Sequence, residues 1–143
     1  MSALSYPARF KNDRSGACTV TFPDLPEAIT CGRDVDDAVN QAADCLQEAL
    51  VGRMVRREAI PLPSTPQPGQ RVVAVALYLA PKLALYLAMR RKGVNNSELA
   101  RRLGVTEAVI RRMLDPHHNT RPDRLQAALA ALGVRLLIEA QAA

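Results

Sequence analysis

Period-two alternation opens the chain. Tyr6, Ala8 and Phe10 alternate with Pro7, Arg9 and Lys11, and Cys18, Val20 and Phe22 alternate with Ala17, Thr19 and Thr21. Successive side chains on a strand point to opposite faces, so each run predicts a half-buried strand. Residues 12–16 between them supply Asn, Asp, Ser and Gly, which is turn chemistry, and the two runs predict a hairpin. Residues 23–26 read Pro-Asp-Leu-Pro; two prolines remove ladder donors, so no paired strand is expected there. A third, short strand is expected over residues 27–31, ended by Gly32.

The spacing then becomes helical. Val35, Ala38, Val39, Ala42, Leu46, Ala49 and Leu50 recur at intervals of three and four, which predicts a helix as far as about Arg57. Asp34 or Asp36 can cap it, and acids in its first turn suit the helix dipole. Its apolar face is expected to cover the hairpin, with Asp37, Asn40, Gln41, Asp44, Gln47 and Glu48 on the solvated side. Pro61, Pro63, Pro66 and Pro68 make residues 60–70 an extended connection. Residues 71–79 are apolar at odd and even positions alike, which predicts a strand covered on both faces and returning to the first sheet. Such a strand can also pair two subunits. The first unit is therefore β-β-β-α-β and ends at residue 79.

From residue 80 to Gly133 the pattern is helical. Pro81 suits a first helical turn. Leu83 and Leu87, with Ala84 and Met89, supply a buried stripe, Arg90, Arg91 and Lys92 suit the negative end of the dipole, and Gly93 is a stop. The stretch over residues 96–115 carries the most specific pattern. Leu99 and Leu103 lie one turn apart, Ala100 is small four positions before Gly104, Val105 fills a turn, and Ile110 and Met113 share the next helix. Gly104 can take the positive φ of a tight turn. Thr106 is placed to cap the second helix with its hydroxyl. This punctuation is that of a helix-turn-helix, with Glu107, Ala108, Arg111 and Arg112 free to face a DNA major groove. A plain helical hairpin is the structural alternative. Asp115-Pro116 breaks the second helix, and Pro122 opens a last one with Leu125, Ala128, Leu129 and Leu132 inward and Gly133 as stop. Residues 134–138 are apolar and read as a short terminal strand. The fold class is α+β.

Charge sharpens the division. Residues 1–70 carry 7 Lys/Arg against 9 Asp/Glu, and residues 71–143 carry 12 against 5. The basic second part suits phosphate backbones; the mildly acidic first part does not. No apolar run approaches the ~20 residues of a membrane span, and the first residues lack the pattern of a signal peptide, so a cytoplasmic protein without a membrane partner is expected. Cys18, Cys31 and Cys45 are widely spaced and form no CxxC, which points to buried free thiols rather than a zinc site or disulfides. Histidine occurs only as the adjacent pair His117-His118, which points apart in regular structure and suits a loop near phosphate better than a metal site, and a plain surface position better still. Nothing sets a base beside a nucleophile, and no glycine loop cradles phosphate. An enzyme is not expected, nor a cofactor or metal.

Three segments add a resemblance. SYPARFKND, the run GACTVTFPDLPEAITCGRDVDDAVNQAADCLQEAL and the close EAIPLPS resemble the HicB family of antitoxins over roughly residues 5–64. LAPKLALYLAMRRKGVNNSELARRLGVTEAVIRRMLDPHHNTRPDRLQAALAALGVRL resembles the helix-turn-helix form of that family. Arg33 departs from the acidic or polar residue the family often places after the glycine. The resemblance implies a two-part antitoxin of a type II system. Its first domain, residues 1–79, has a partial ribonuclease H-like fold without catalytic acids and blocks a HicA-type toxin that cleaves mRNA. Its second domain, residues 80–143, binds operator DNA and represses its own operon.

Each domain then has candidate residues. Two copies, as a homodimer or higher even-numbered oligomer, would meet half-sites about one helical turn, ~34 Å, apart. Arg111 can bond guanine, Glu107 can accept from cytosine and Ala108 can touch a thymine methyl. Arg112, together with Asn96 and Ser97 at the start of the first motif helix, is offered to phosphate, and Thr106 opens the reading helix. For the toxin, the stiff turn holding Phe22, Asp24, Leu25 and Glu27 is a candidate, its acids matching a basic RNA-cleaving surface; the alternative is that this turn only closes the sheet. The competing function is a stand-alone transcription regulator whose first domain binds a small ligand.

Overall fold

The opening alternation becomes β1 (Ser5–Asn12), paired antiparallel with β2 (Cys18–Phe22), in a computed structural model that describes residues 4–142. Tyr6 and Ala8 point into the core with Cys18, Val20 and Phe22. The turn between the strands is tied by Asp13, whose carboxylate accepts from the Ser15 hydroxyl (2.6 Å) and from the amides of Ser15 and Ala17.

β3 (Leu25–Gly32) begins two residues earlier than the prolines suggest. Phe22 pairs directly with Leu25, so Pro23 and Asp24 alone make the turn. The register then shifts, because Thr21 pairs with Ile29 while Phe22 pairs with Leu25. Residues 26–28 fall inside that irregularity, on a strand at the sheet's edge, so Pro26 has no ladder position to leave empty. Gly32 closes the strand against the next helix. A Cβ there would lie 2.3 Å from the Ala38 amide nitrogen, so this crossing admits only glycine.

α1 (Val35–Val55) is capped by Asp34, whose side chain accepts from the Asp37 amide at 2.8 Å. Ala38, Ala42, Leu46, Leu50 and Met54 are buried in a line four residues apart, and the helix packs chiefly on β3. Val35 and Val39, expected inside, are exposed. A helix seated over an edge strand has sheet beneath only one flank, which narrows the stripe it can bury.

The proline segment forms neither helix nor strand and is fastened at several points. Ile60 is buried. The Tyr6 hydroxyl donates to the Pro61 carbonyl (2.8 Å), and Arg53 donates to the Ala59 carbonyl (2.9 Å). Asp24 accepts from the Ser64 amide (2.9 Å) and hydroxyl (3.0 Å). The chain then enters β4 (Gln70–Ala74), which pairs antiparallel with β1 and completes a sheet of order β3-β2-β1-β4. β4 is shorter than expected and is not covered on both faces: Val72 is 57% exposed. Residues beyond Ala74 leave the sheet, and the Ala76 amide donates to Gln47 of α1 instead (3.0 Å).

The chain separates into two compact units between Leu77 and Tyr78. The second consists of α2 (Ala80–Lys92), α3 (Asn96–Leu103), α4 (Glu107–Leu114) and α5 (Pro122–Ala131). α2 packs on α4 and α5 and is buried nearly all round, including Lys82, Leu85, Tyr86 and Ala88, while Leu87 is only half-buried. The expected one-sided stripe fails because α2 is the centre of its unit rather than a surface helix. Leu125, Ala128, Leu129 and Leu132 face inward as their spacing predicts. Residues 134–138 form no strand; among the described residues this unit contains none with which they could pair. No helix among the described residues is long and apolar enough to cross a membrane.

Candidate functional site

Two eight-residue helices meeting at Gly104 form the most specific local geometry of the second unit. Asn95, one residue before the expected start, caps α3 by accepting from the Glu98 amide at 2.8 Å. Leu99 and Ala100 are buried beneath it, while Asn96 is half-buried and Ser97 exposed. Gly104 ends α3 at φ 67°, where the Val105 amide turns back to the Ala100 carbonyl (3.0 Å). Ile110 and Met113 anchor α4. Thr106 stands at the cap position in an extended conformation, but its hydroxyl makes no cap bond; its carbonyl accepts from the Val109 amide at 3.1 Å.

The outer side of α4 carries Glu107 and Arg111 at an ion-pair distance of 3.8 Å, with the Arg111 side chain 58% exposed. Ala108 is half-buried beside them, and Arg112 is exposed. One loose ion pair leaves Arg111 free to exchange Glu107 for another acceptor. Arg102 is held by Glu98 at 2.7 Å.

α4 is fixed from behind by a residue that sequence reasoning left unassigned. Lys82 is 2% exposed, yet it lies in the first turn of α2, where a lysine normally reaches solvent. Its ammonium donates to the Arg112 carbonyl (3.1 Å), the Met113 carbonyl (3.0 Å) and the Thr120 hydroxyl (2.8 Å). It thereby satisfies carbonyls at the negative end of α4. Burial pushes its pKa down, and the charge of Asp115 opposes that shift. Lys82 follows a proline at a helix start, and nothing local marks such a position as buried.

Beside α4 lies an open cleft of about 190 Å³ whose lining includes Arg112, Arg121, Arg124 and His118. His118 meets the Thr120 hydroxyl at 3.0 Å, and Arg121 pairs with Asp123 at 3.0 Å. Arg112 and Arg124 form no ion pair among the described residues. Of these four, sequence reasoning singled out only Arg112 as a site residue and left His118 in a loop. The run Thr-Arg-Pro-Asp-Arg at the start of α5 was the available signal, since it sets two arginines around a helix start adjoining the loop.

The acidic turn of the first unit differs from expectation. Phe22 and Leu25 are buried and belong to the core, so neither presents a side chain to a partner. Alternation through β2 and a two-residue turn place both on the covered face. Asp24 is engaged by Ser64. Glu27 receives a two-pronged bond from Arg53 at 2.6 and 2.9 Å, which holds its carboxyl well below the usual range, at about 2. Cys18 is buried, Cys45 half-buried and Cys31 exposed, all three as free thiols, so the expectation of uniformly buried thiols does not hold. Among the described residues no group of His, Cys, Asp and Glu is placed to hold a metal ion.

The relatives of this chain, a mixed sheet-and-helix unit followed by a basic all-helical one, are antitoxins of bacterial toxin–antitoxin systems. Residues 5–84 match the family described as the HicB-like antitoxin of bacterial toxin–antitoxin systems. The chain is 38% identical over 133 residues to antitoxin HicB 2 of Photorhabdus laumondii, covering 93% of this chain and 94% of that protein. It is 35% identical over 133 residues to antitoxin HicB of Escherichia coli K12, covering 93% and 96%. The protein belongs to the HicB-like antitoxin family, a family of antitoxins and not of enzymes.

Proposed function

We propose that the protein neutralises a HicA-type mRNA-cleaving toxin through residues 1–79 and represses its own operon through residues 80–143, with α3, Gly104 and α4 as a DNA-binding helix-turn-helix. The supporting observation is the outer side of α4. Glu107, Ala108 and Arg111 lie together on a helix held from behind by Lys82, and the basic cleft of Arg112, Arg121 and Arg124 opens alongside. A major groove admits one helix, and the phosphates flanking it take the neighbouring cations. Asn96 and Ser97 meet the opposite phosphate strand at the start of α3. Thr106 serves through its backbone, because its hydroxyl caps nothing. Two copies read a palindromic operator.

On the first unit, the toxin meets the surface around the Pro23-Asp24 turn. Phe22 and Leu25 support that turn from beneath, and Asp24 and Glu27 set its shape through Ser64 and Arg53.

The test is a gel-shift series with the full chain on the duplex upstream of its own reading frame and on a scrambled duplex. Arg111→Ala is expected to lose on the order of tenfold or more of the discrimination between them. Arg112→Ala is expected to weaken both complexes alike and to lower the salt slope by about one. Full discrimination by the Arg111→Ala protein removes Arg111 from base reading.

A further inference from the structure

The operator reading draws its cations from two helices. Arg111 and Arg112 belong to α4, Arg121 and Arg124 stand at the start of α5, and the loop of residues 115–121 runs between them. Base edges and phosphates stand at set spacings on a duplex, so both sets engage at least cost when their separation is fixed before binding.

The first half of that loop closes on itself. The Asp115 amide returns to the Arg112 carbonyl (3.2 Å), and the His118 amide to the Asp115 carbonyl (3.1 Å). The Asp115 carboxylate accepts from the His117 amide at 2.9 Å. These bonds shape the end of α4 and do not reach α5.

Thr120 makes the connection. It precedes Arg121, whose carbonyl receives the Arg124 amide (3.1 Å) and the Leu125 amide (3.3 Å) in the first turn of α5. The Thr120 hydroxyl accepts from the buried Lys82 ammonium (2.8 Å) and donates to the Arg112 carbonyl (3.3 Å). The same ammonium donates to the Arg112 and Met113 carbonyls, at 3.1 and 3.0 Å. The last turn of α4 and the approach to α5 therefore share one anchor, and that anchor belongs to α2. His118 meets the same hydroxyl at 3.0 Å from the side of the cleft. A hydrogen bond from a charged donor in a site shut off from water holds its partners firmly.

We propose that Thr120 is a positioning residue for operator reading: its hydroxyl, held on Lys82, sets the spacing between the α4 and α5 arginines, so that base contact and phosphate contact are made together. The inference rests on the operator reading proposed above and adds to it a residue that reads no base. Valine keeps the shape of threonine without the hydroxyl, and serine keeps the hydroxyl without the methyl, so the two substitutions separate the bond from the packing.

The experiment is a gel-shift series with the full chain on the duplex upstream of its own reading frame and on a scrambled duplex, at a temperature where circular dichroism shows each variant folded. Thr120→Val is expected to weaken the operator complex on the order of tenfold and the scrambled one by about twofold or less. Thr120→Ser is expected to bind as the parent does. Arg124→Ala is expected to cost the parent several-fold in operator affinity and the Thr120→Val chain almost nothing, since the contact it removes is already misplaced there. Thr120→Ala supplies the same comparison if Thr120→Val does not fold. A role in stability alone lowers the melting temperature and leaves the affinity of the folded protein unaltered; that result overturns the proposal, and so does a Thr120→Ser chain that falls with Thr120→Val. Failure of the operator reading looks different: Arg111→Ala then keeps full discrimination as well, and both readings fall. Failure of this inference alone leaves Arg111→Ala defective and Thr120→Val normal.

Discussion

Asp24, Glu27 and Arg53 in the first unit bind their own chain, while Arg111, Arg112 and Arg124 in the second face water with at most one loose partner. The polar groups of the first unit fasten a proline-rich segment that has no ladder of its own. Arg111, Arg112 and Arg124 are held ready by a fold that does not need them. A charge that closes its own structure is a poor guide to a partner, however prominent its motif; a charge that the fold leaves idle is a better one.

That contrast can be broken most severely at Gly32. Gly32→Ala forces a methyl to 2.3 Å from the α1 backbone and is expected to destabilise the first unit by about 3 kcal/mol. Hydrogen exchange resolved by segment should show faster exchange in α1 and unaltered exchange in α4. Lys82→Met is the counterpart in the second unit. The Arg112 carbonyl keeps the Asp115 amide and the Thr120 hydroxyl, but the Met113 carbonyl loses its donor, which is expected to cost about 2 kcal/mol, with α4 exchange accelerated and α1 spared.

The smallest effect belongs to Glu27. Its carboxyl titrates at about 2 in the folded chain against 4.5 in the unfolded one, because Arg53 binds it. A lowered folded value means that the ion pair stabilises the unit fully above about pH 4.5 and stops doing so as the pH falls toward 2. The pair is partly exposed, so its contribution is about 1 kcal/mol. Glu27→Gln is expected to remove that acid-dependent part from denaturant titrations of the first unit, while an unchanged pH profile counts against the pair.

Legibility in the sequence followed how local each cause was. Alternation at Tyr6, Ala8, Val20 and Phe22 and the stops at Gly93 and Gly104 are written within a few residues and could be read directly, and the α1 cap was narrowed to Asp34 or Asp36, of which Asp34 serves. The α3–α4 turn depends on one glycine and one small residue at fixed offsets, so it was legible too. What depends on tertiary neighbours was not. Pro26 fits a strand only because an irregularity excuses it from the ladder, Val72 is exposed because it pairs with Pro7 on the sheet face opposite Tyr6 and Ala8, and Leu87 yields to Lys82 because α2 is central. At the candidate site, Arg111 and Arg112 were legible from helical spacing. Arg121, Arg124 and the support from Lys82 come from other elements brought beside α4 by packing.

The brevity of α3 and α4 has a consequence for any genetic dissection. Helices of eight residues do not persist alone in water; they exist because Leu99, Ile110 and Met113 are clamped between longer neighbours. Under the proposed operator reading, a mutant that binds DNA poorly is therefore ambiguous when the change lies at one of those hidden positions, since both short helices dissolve with it. Alleles confined to solvent-facing side chains that keep native helicity are the ones that report contact.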